Sequence, residues 1–473
     1  MAAQPDRGNP ALSAHLAEAG LTPRALARDL NRLFGAGTVA DTAPYYWRDV
    51  GGMPRQPLPA LVAYVVSRHL GRVVMARDLW PGQAEDRDAT LVLPASAGMD
   101  RPWTIASTML VADDWLLGGL MDRRLFLSVS GATLARAVSV YLAGCLPATP
   151  AGSALSSDEP LVDQIEATVP QLQTLDDERG GATGLGYVGA QVRAVMLVLR
   201  DGGHSDNTVR RLLVALADLA QLAGWKAFDA SKPGLSQRYF FTGLRAAHDA
   251  GYRSMEAHIL ADLSFQAASQ GDAQDGVVLG EAAQRVSDRS ASSVQASVMS
   301  RLAYAYAAAG RVDECEHTWT QSRDRLASQQ GAQDPEWMYY LTPGHLDCQA
   351  GYAMILAGRQ AIAAGSAASG RGWLSKGEAL LLTGAYARHP DMPYQRRALY
   401  EGAWLALGYT AHGKLDDACT VTRMALPRLD RVRSPRSNAL LRTLTDEMRR
   451  RKRHQGVADL LPDLDAALSQ QPV

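Results

Sequence analysis

Apolar residues recur at helical spacing along almost the whole chain, and that pattern predicts an all-α fold. Leu12, Leu16 and Ala19 share one face of a helix over residues 11–19, which Gly20 ends. Thr22 is placed to cap a second helix with Pro23 at its first position, and Ala25, Leu26, Leu30, Leu33 and Phe34 form its buried stripe. A short third helix over 43–50 opens at Thr42 and Pro44 and is stopped by Gly51, Gly52 and Pro54. A strongly apolar helix over 58–70 and a last one over 73–80 complete a compact unit.

Past that unit the pattern loosens and then resumes. Residues 81–101 are polar and broken by Pro, Gly and Asp, with one short strand expected at Thr90-Leu91-Val92-Leu93. Residues 103–120 are partly helical, with Trp103, Trp115 and Leu116 expected inside, and 147–160 read as a second linker. Three regions follow: 1–80, a connecting region 81–160, and 161–473. In the last, small apolar residues lead to a glycine turn and a second helix, at Gly271-Asp272, Gly310-Arg311 and Gly413-Lys414. Cys315 and Ala418 sit where small residues let such a pair close, and Asp334-Pro335-Glu336 and Ser434-Pro435 read as capped helix starts. This resembles the tetratricopeptide repeat, although the turns are unevenly spaced. Helix pairs of this kind stack into a solenoid with a concave face that takes peptides, partner helices or small molecules.

The short third helix carries the chemistry of the first region. Tyr45, Tyr46 and Arg48 are expected outward and Trp47 inward; Arg guanidinium groups and Tyr hydroxyls contact phosphates and base edges. Arg24, Thr42 and Arg55 flank it and complete the expected DNA-contacting set. Residues 1–80 hold nine Arg against six carboxylates, whereas the whole chain has a net charge of −1. In the third region, Trp225, Asp229, Arg238 and Tyr239 are candidates for a pocket with an aromatic wall and an anion-binding guanidinium. Trp319, Trp337 and Tyr340 are further candidates. The alternative for all seven is plain helix packing and structural ion pairs.

Other signals exclude rather than assign. The 473 residues are 47% hydrophobic and 21% charged, ample for a large core. The four Cys residues are far apart, so neither a disulfide framework nor a zinc site is expected; no metal and no cofactor is expected, and a reducing cytoplasm is the simplest home. The first twenty residues lack a basic start followed by an apolar run, so no leader is expected. Arg123-Arg124 before the apolar stretch 125–146 mimics an export signal, but Arg136 interrupts it, and no membrane association is expected. Gly184-Leu185-Gly186-Tyr187-Val188-Gly189 fits the dinucleotide pattern in a region read as loop, with no strand before it. No catalytic constellation is found, so the chain does not read as an enzyme. The basic run Arg449–Arg453 falls near a helix end, where cations are favoured.

Ala19-Gly20-Leu21-Thr22, Trp47-Arg48, Pro54 and Leu70-Gly71-Arg72 resemble the helix-turn-helix of XRE-type bacterial repressors. Leu30-Asn31-Arg32-Leu33, Tyr46-Trp47-Arg48, Asp78-Leu79-Trp80, Ala223-Gly224-Trp225 and Gln237-Arg238-Tyr239 resemble the actinobacterial developmental regulators of the NsdA type. One departure is the glycine-rich segment at Gly35-Ala36-Gly37-Thr38, which lengthens the turn before the third helix. The resemblance implies a transcriptional regulator of development or secondary metabolism. It would bind a double-stranded DNA operator as a homodimer, with an effector in the repeat groove. The alternative is an interaction adaptor that does not touch DNA.

Overall fold

A computed structural model of the protein describes residues 8–34, 38–55, 58–70, 74, 76–83, 103–112, 134, 141, 159–179, 184–328, 333–386 and 394–471. The described residues form an all-α fold with no strand among them. The chain divides into two compact units: Met1–Pro102 with Leu110–Val140, and Trp103–Met109 with Tyr141–Val473. The strand expected at residues 90–93 and most of the apolar stretch 125–146 lie outside the described residues. No described helix is long and apolar enough to cross a membrane.

The first unit contains α1 (Pro10–Glu18), α2 (Pro23–Phe34), α3 (Ala43–Asp49), α4 (Leu58–Leu70) and α5 (Ala76–Leu79). Leu12, Leu16, Leu26, Leu30, Trp47, Leu61, Val65 and Trp80 form one buried cluster among them, each large aliphatic side chain contributing about 1.5–3 kcal/mol. Thr22 caps α2 through the Ala25 N–H (3.1 Å), as its sequence position predicts. Thr42 does not cap α3: its backbone is already helical (φ −89°, ψ −15°), which turns the hydroxyl away from the first-turn N–H groups, and no side-chain cap bond forms. Two asparagines staple the unit. Asn9 caps α1 at the Leu12 N–H (2.9 Å), donates Nδ2 to Leu79 O (2.8 Å), and gives its own N–H to Arg48 O (2.7 Å). Asn31 bonds both the N–H and the C=O of Val39 (3.0 and 2.9 Å), so the lengthened connection before α3 is anchored to α2 at its far end.

α6 (Ile105–Ala112) runs from the second unit into the first. The rest of the second unit is a stack of helix hairpins: α7 (Glu159–Arg179), α8 (Leu185–Asp201), α9 (Asp206–Asp229), α10 (Pro233–Ala250), α11 (Arg253–Ser269), α12 (Ala273–Ser287), α13 (Ser292–Ala308), α14 (Val312–Ser328), α15 (Pro343–Ala363), α16 (Ala367–Tyr386), α17 (Gln395–His412), α18 (Leu415–Ala425), α19 (Pro435–Arg449) and α20 (Gln455–Ser469). The hairpins α11/α12, α13/α14 and α17/α18 turn at the three glycines expected from the sequence. A further pair, α15/α16, fills the long interval between the last two and turns at Gly365 (φ +89°). It packs unusually tightly: a Cβ on Gly358 would lie 2.8 Å from Gly370 O, and one on Gly377 2.6 Å from Gly351 O. These glycines repeat every seven residues on both helices, so the two backbones touch along one face.

Two local expectations change, and a third, the basic run at a helix end, holds. Gly184 is the N-cap of α8, and the Gly-rich word from 184 to 189 opens that helix rather than forming a loop, because Gly189 provides the room that the Tyr239 hydroxyl occupies. Asp334 does not cap a long helix. It accepts from Ser293 (2.6 Å), only a 3-10 turn Glu336–Met338 follows, and α15 is capped instead by Thr342 through the His345 N–H (3.2 Å). Arg449 ends α19 in ion pairs with Asp446 (2.8 Å) and Asp465 (2.6 Å), which ties the basic run to the following helix α20.

Candidate functional site

Alternate helices of the stack pack in sequence, α11 on α13, α13 on α15, α15 on α17 and α17 on α19, and α19 meets α9. The inner helices thus close on themselves, and Asp229 at the end of α9 marks the closure. It accepts from the Ser434 hydroxyl (2.8 Å), which also caps α19, and pairs with Arg436 Nε (3.3 Å). α7 packs on α9 and α17, held by Arg211 to Asp163 (2.5 Å) and Glu166 (2.7 Å).

Within this closed arrangement lies a cavity of about 150 Å³. Every inner helix supplies lining residues, at 3–4 or 7 residue spacing where it gives several: Gln221 and Trp225 from α9, His258 and Phe265 from α11, Arg301 from α13, His345, Gln349 and Tyr352 from α15, Arg397, Tyr400 and Glu401 from α17, and Arg436 from α19. Trp337, Tyr339, Tyr340, Tyr394, Arg396, Leu222 and Gln173 of α7 complete it. The wall is aromatic and cationic. Trp225 is the hub: the guanidinium carbons of Arg301, Arg436 and Arg396 lie 4.8, 5.4 and 5.9 Å from its ring centroid. Arg436 also covers Tyr400 at 4.2 Å. Such contacts contribute about 0.5–2 kcal/mol each and hold the guanidinium planes in place.

The charges are partly balanced from behind. Arg301 pairs with buried Asp262 (2.9 Å), to which Gln221 also donates (2.6 Å), and Arg397 pairs with Glu401 (2.6 Å). Burial penalises the Arg301 charge, but Asp262 and the neighbouring Tyr340 and Tyr352 together raise its pKa above the ordinary arginine value. Arg301 Nε and Arg436 Nη1 are nevertheless buried with no hydrogen-bond partner. Like charges converging on Trp225 repel one another, and the ion pairs to Asp262 and Asp229 offset that repulsion. The two histidines add no charge at neutral pH. Burial pushes His258 down to about 4, and burial with the Arg397 charge holds His345 well below the usual imidazole range. Arg397 Nη1 donates to His345 Nδ1 (3.0 Å), which fixes that nitrogen as the acceptor of a neutral ring.

Of the residues expected from the sequence, Trp225, Trp337 and Tyr340 line the cavity, and Asp229 lies beneath it as the partner of Arg436. Trp337 is aimed by its Nε1 donating to the Tyr252 hydroxyl (2.7 Å). Arg238 and Tyr239 lie outside the lining: Arg238 is half-buried on α10, where burial lowers its pKa to about 10, and Tyr239 fills the gap over Gly189. Trp319 sits on α14 beside Arg323 and Lys376, also away from the cavity. The arginines 301, 396, 397 and 436, with His258, His345, Tyr352 and Tyr400, were not singled out. Their signal was available as charged or aromatic residues at helical spacing inside otherwise alanine-rich helices, Arg301 among Ser300, Leu302 and Ala303 being the plainest.

In the first unit, Arg24, Thr42, Tyr45, Tyr46 and Arg55 are exposed, Arg48 is half-buried and Trp47 is inside. Tyr46 is 59% exposed and rests against Gly52, where a Cβ would lie 2.5 Å from its ring. Arg48 is already engaged: Nε and Nη2 donate to the Asp49 carboxylate (2.6 and 3.0 Å), and its guanidinium lies 5.4 Å from the Tyr45 ring centroid. No protein-family model matches the chain, and no curated protein matches it.

Proposed function

We propose that the chain is a DNA-binding regulator whose second unit senses a small molecule in the cavity between its inner helices. The observation that carries this reading is the polar lining of that cavity: a stack needing only stability would fill the space with apolar side chains, because buried unpartnered donors are costly. The α3 face supports the DNA half. Tyr45 and Tyr46 stand out from a short helix beside Arg48, Arg24 and Arg55 are exposed near it in sequence, and the first eighty residues hold nine Arg against six carboxylates. The XRE-type and tetratricopeptide-like resemblances agree with it. A homodimer would place two heads on paired half-sites, and an effector with unequal affinity for two head arrangements would shift DNA affinity.

A second reading is an interaction adaptor, favoured by one observation: Asp49 already occupies the Arg48 guanidinium. Capture of chromosomal fragments bound in cells, followed by titration of one fragment with the wild-type chain and with Arg48→Ala, separates the two. A shared, near-palindromic motif bound at nanomolar strength with steep salt dependence, and lost in the variant, supports the regulator. Weak, sequence-blind binding that ignores the substitution leaves the adaptor.

A further inference from the structure

The cavity's own chemistry narrows the effector. Three guanidinium groups converge on one indole ring, and two of them, Arg301 and Arg436, keep a buried N–H without an acceptor. Of the carboxylates near them, Asp262 and Asp229 stand behind the wall, and Glu401, which lines the cavity, is taken by Arg397 (2.6 Å). A cationic ligand would meet these arginines directly, and a neutral acceptor would bond the N–H donors without offsetting the charge they carry. An oxyanion fills them, with two oxygens matched to the guanidinium fork.

The remaining walls set the rest of the molecule. Trp225, Phe265, Trp337 and Tyr352 present flat apolar surface, and ring faces take another ring by offset or edge contact. The cavity measures about 150 Å³. An apolar cavity of about that size in another protein holds one benzene ring. We propose that the cavity takes a small oxyanion carried on a single flat ring, with its carboxylate or phosphate toward Arg301, Arg396 and Arg436 and its ring against Trp225. This deepens the effector half of the reading above and rests on the cavity being the effector site; it does not depend on the α3 face binding DNA.

The test is calorimetric titration of the full chain, without DNA, against five probes: benzoate, phenyl phosphate, benzamide, benzamidine and inorganic phosphate. Benzoate or phenyl phosphate should bind about tenfold or more tighter than benzamide, the effect of one charge-assisted hydrogen bond. Benzamidine should not compete, and inorganic phosphate should bind more weakly than phenyl phosphate. Which of the two anions is tighter distinguishes a carboxylate from a phosphate ligand. Arg396→Gln should weaken the better anion at least fivefold in a chain that still unfolds in one cooperative transition. Benzamide or benzamidine matching the anions overturns the charge assignment, and inorganic phosphate matching phenyl phosphate overturns the ring. No heat and no melting shift with either organic anion at about 10 mM, the weakest affinity expected for a ligand of that size, overturns the proposal outright. Because no DNA is present, these results are independent of whether operator binding is found.

Discussion

The two units treat polar side chains in opposite ways. In the first, the buried polar groups are structural staples: Asn9 joins α1, α3 and α5, and Asn31 pairs with the backbone of Val39, while the candidate contact residues face outward. In the second, charged residues point inward, and arginines meet aromatic rings around an internal space. Each asparagine staple donates to a backbone carbonyl, whereas the cavity wall holds buried donors without a partner on Arg301, Arg436 and His258. That difference separates polar residues that hold a fold from polar residues kept for something else.

The comparison can be broken most forcefully at Arg301. Arg301→Met strands the buried Asp262 carboxylate and should cost about 3–5 kcal/mol in urea unfolding, while the double variant with Asp262→Leu should recover most of it. A single-variant cost under about 1 kcal/mol would mean that the inward pair is not buried as described. Gly358→Ala, which forces α15 off Gly370, should cost about 1–3 kcal/mol and reduce hydrogen-exchange protection in α15 and α16 while leaving α1 to α4 unchanged. Asn9→Ala is the counterpart in the first unit: about 1–2 kcal/mol, read as faster exchange in α1 with α15 and α16 unaffected.

Titration sharpens the contrast further. Burial raises Asp218 on α9 to about 7, above its value in an unfolded chain, so the folded state binds a proton that the unfolded state releases. The associated stability is present at acid pH and lost as pH rises towards and through about 7. Asp218→Asn should therefore stabilise by about 1–2 kcal/mol at pH 8 and leave stability near wild type below pH 4. His258 has the opposite sign: held at about 4 by burial, it contributes stability at neutral pH that is lost as pH falls from about 6.5 towards 4. His258→Gln should flatten that acid limb. The smallest stability effect belongs to the surface: Arg48→Ala should stay within about 0.5 kcal/mol of wild type, so any loss of DNA binding reads as loss of contact.

The first unit was largely legible because its signals are local. The Thr22 cap, the Gly20 and Gly51 stops and the inward Trp47 depend on residues within a few positions of each other. The Asn31–Val39 clasp was not legible, since a side chain bonding eight residues ahead leaves no periodic trace. In the second unit the helix pairs were readable from their glycine turns, but the α15/α16 pair was missed. Its glycines lie within the helices as well as at the turn, which blurs the punctuation. The cavity was legible only in fragments. Trp225 and Arg436 are brought together by closure of the stack across more than two hundred residues, and no window of sequence contains both.

Coupling of the cavity to DNA binding, as proposed above, is reciprocal by thermodynamic necessity. The decisive measurement is the affinity of a DNA fragment captured in cells for the full chain, with and without saturating concentrations of the tightest ring-bearing anion. A change of about fivefold or more, with the same factor recovered when the anion is titrated in the presence of DNA, is the predicted result. An unchanged DNA affinity while calorimetry shows the cavity filled would contradict it.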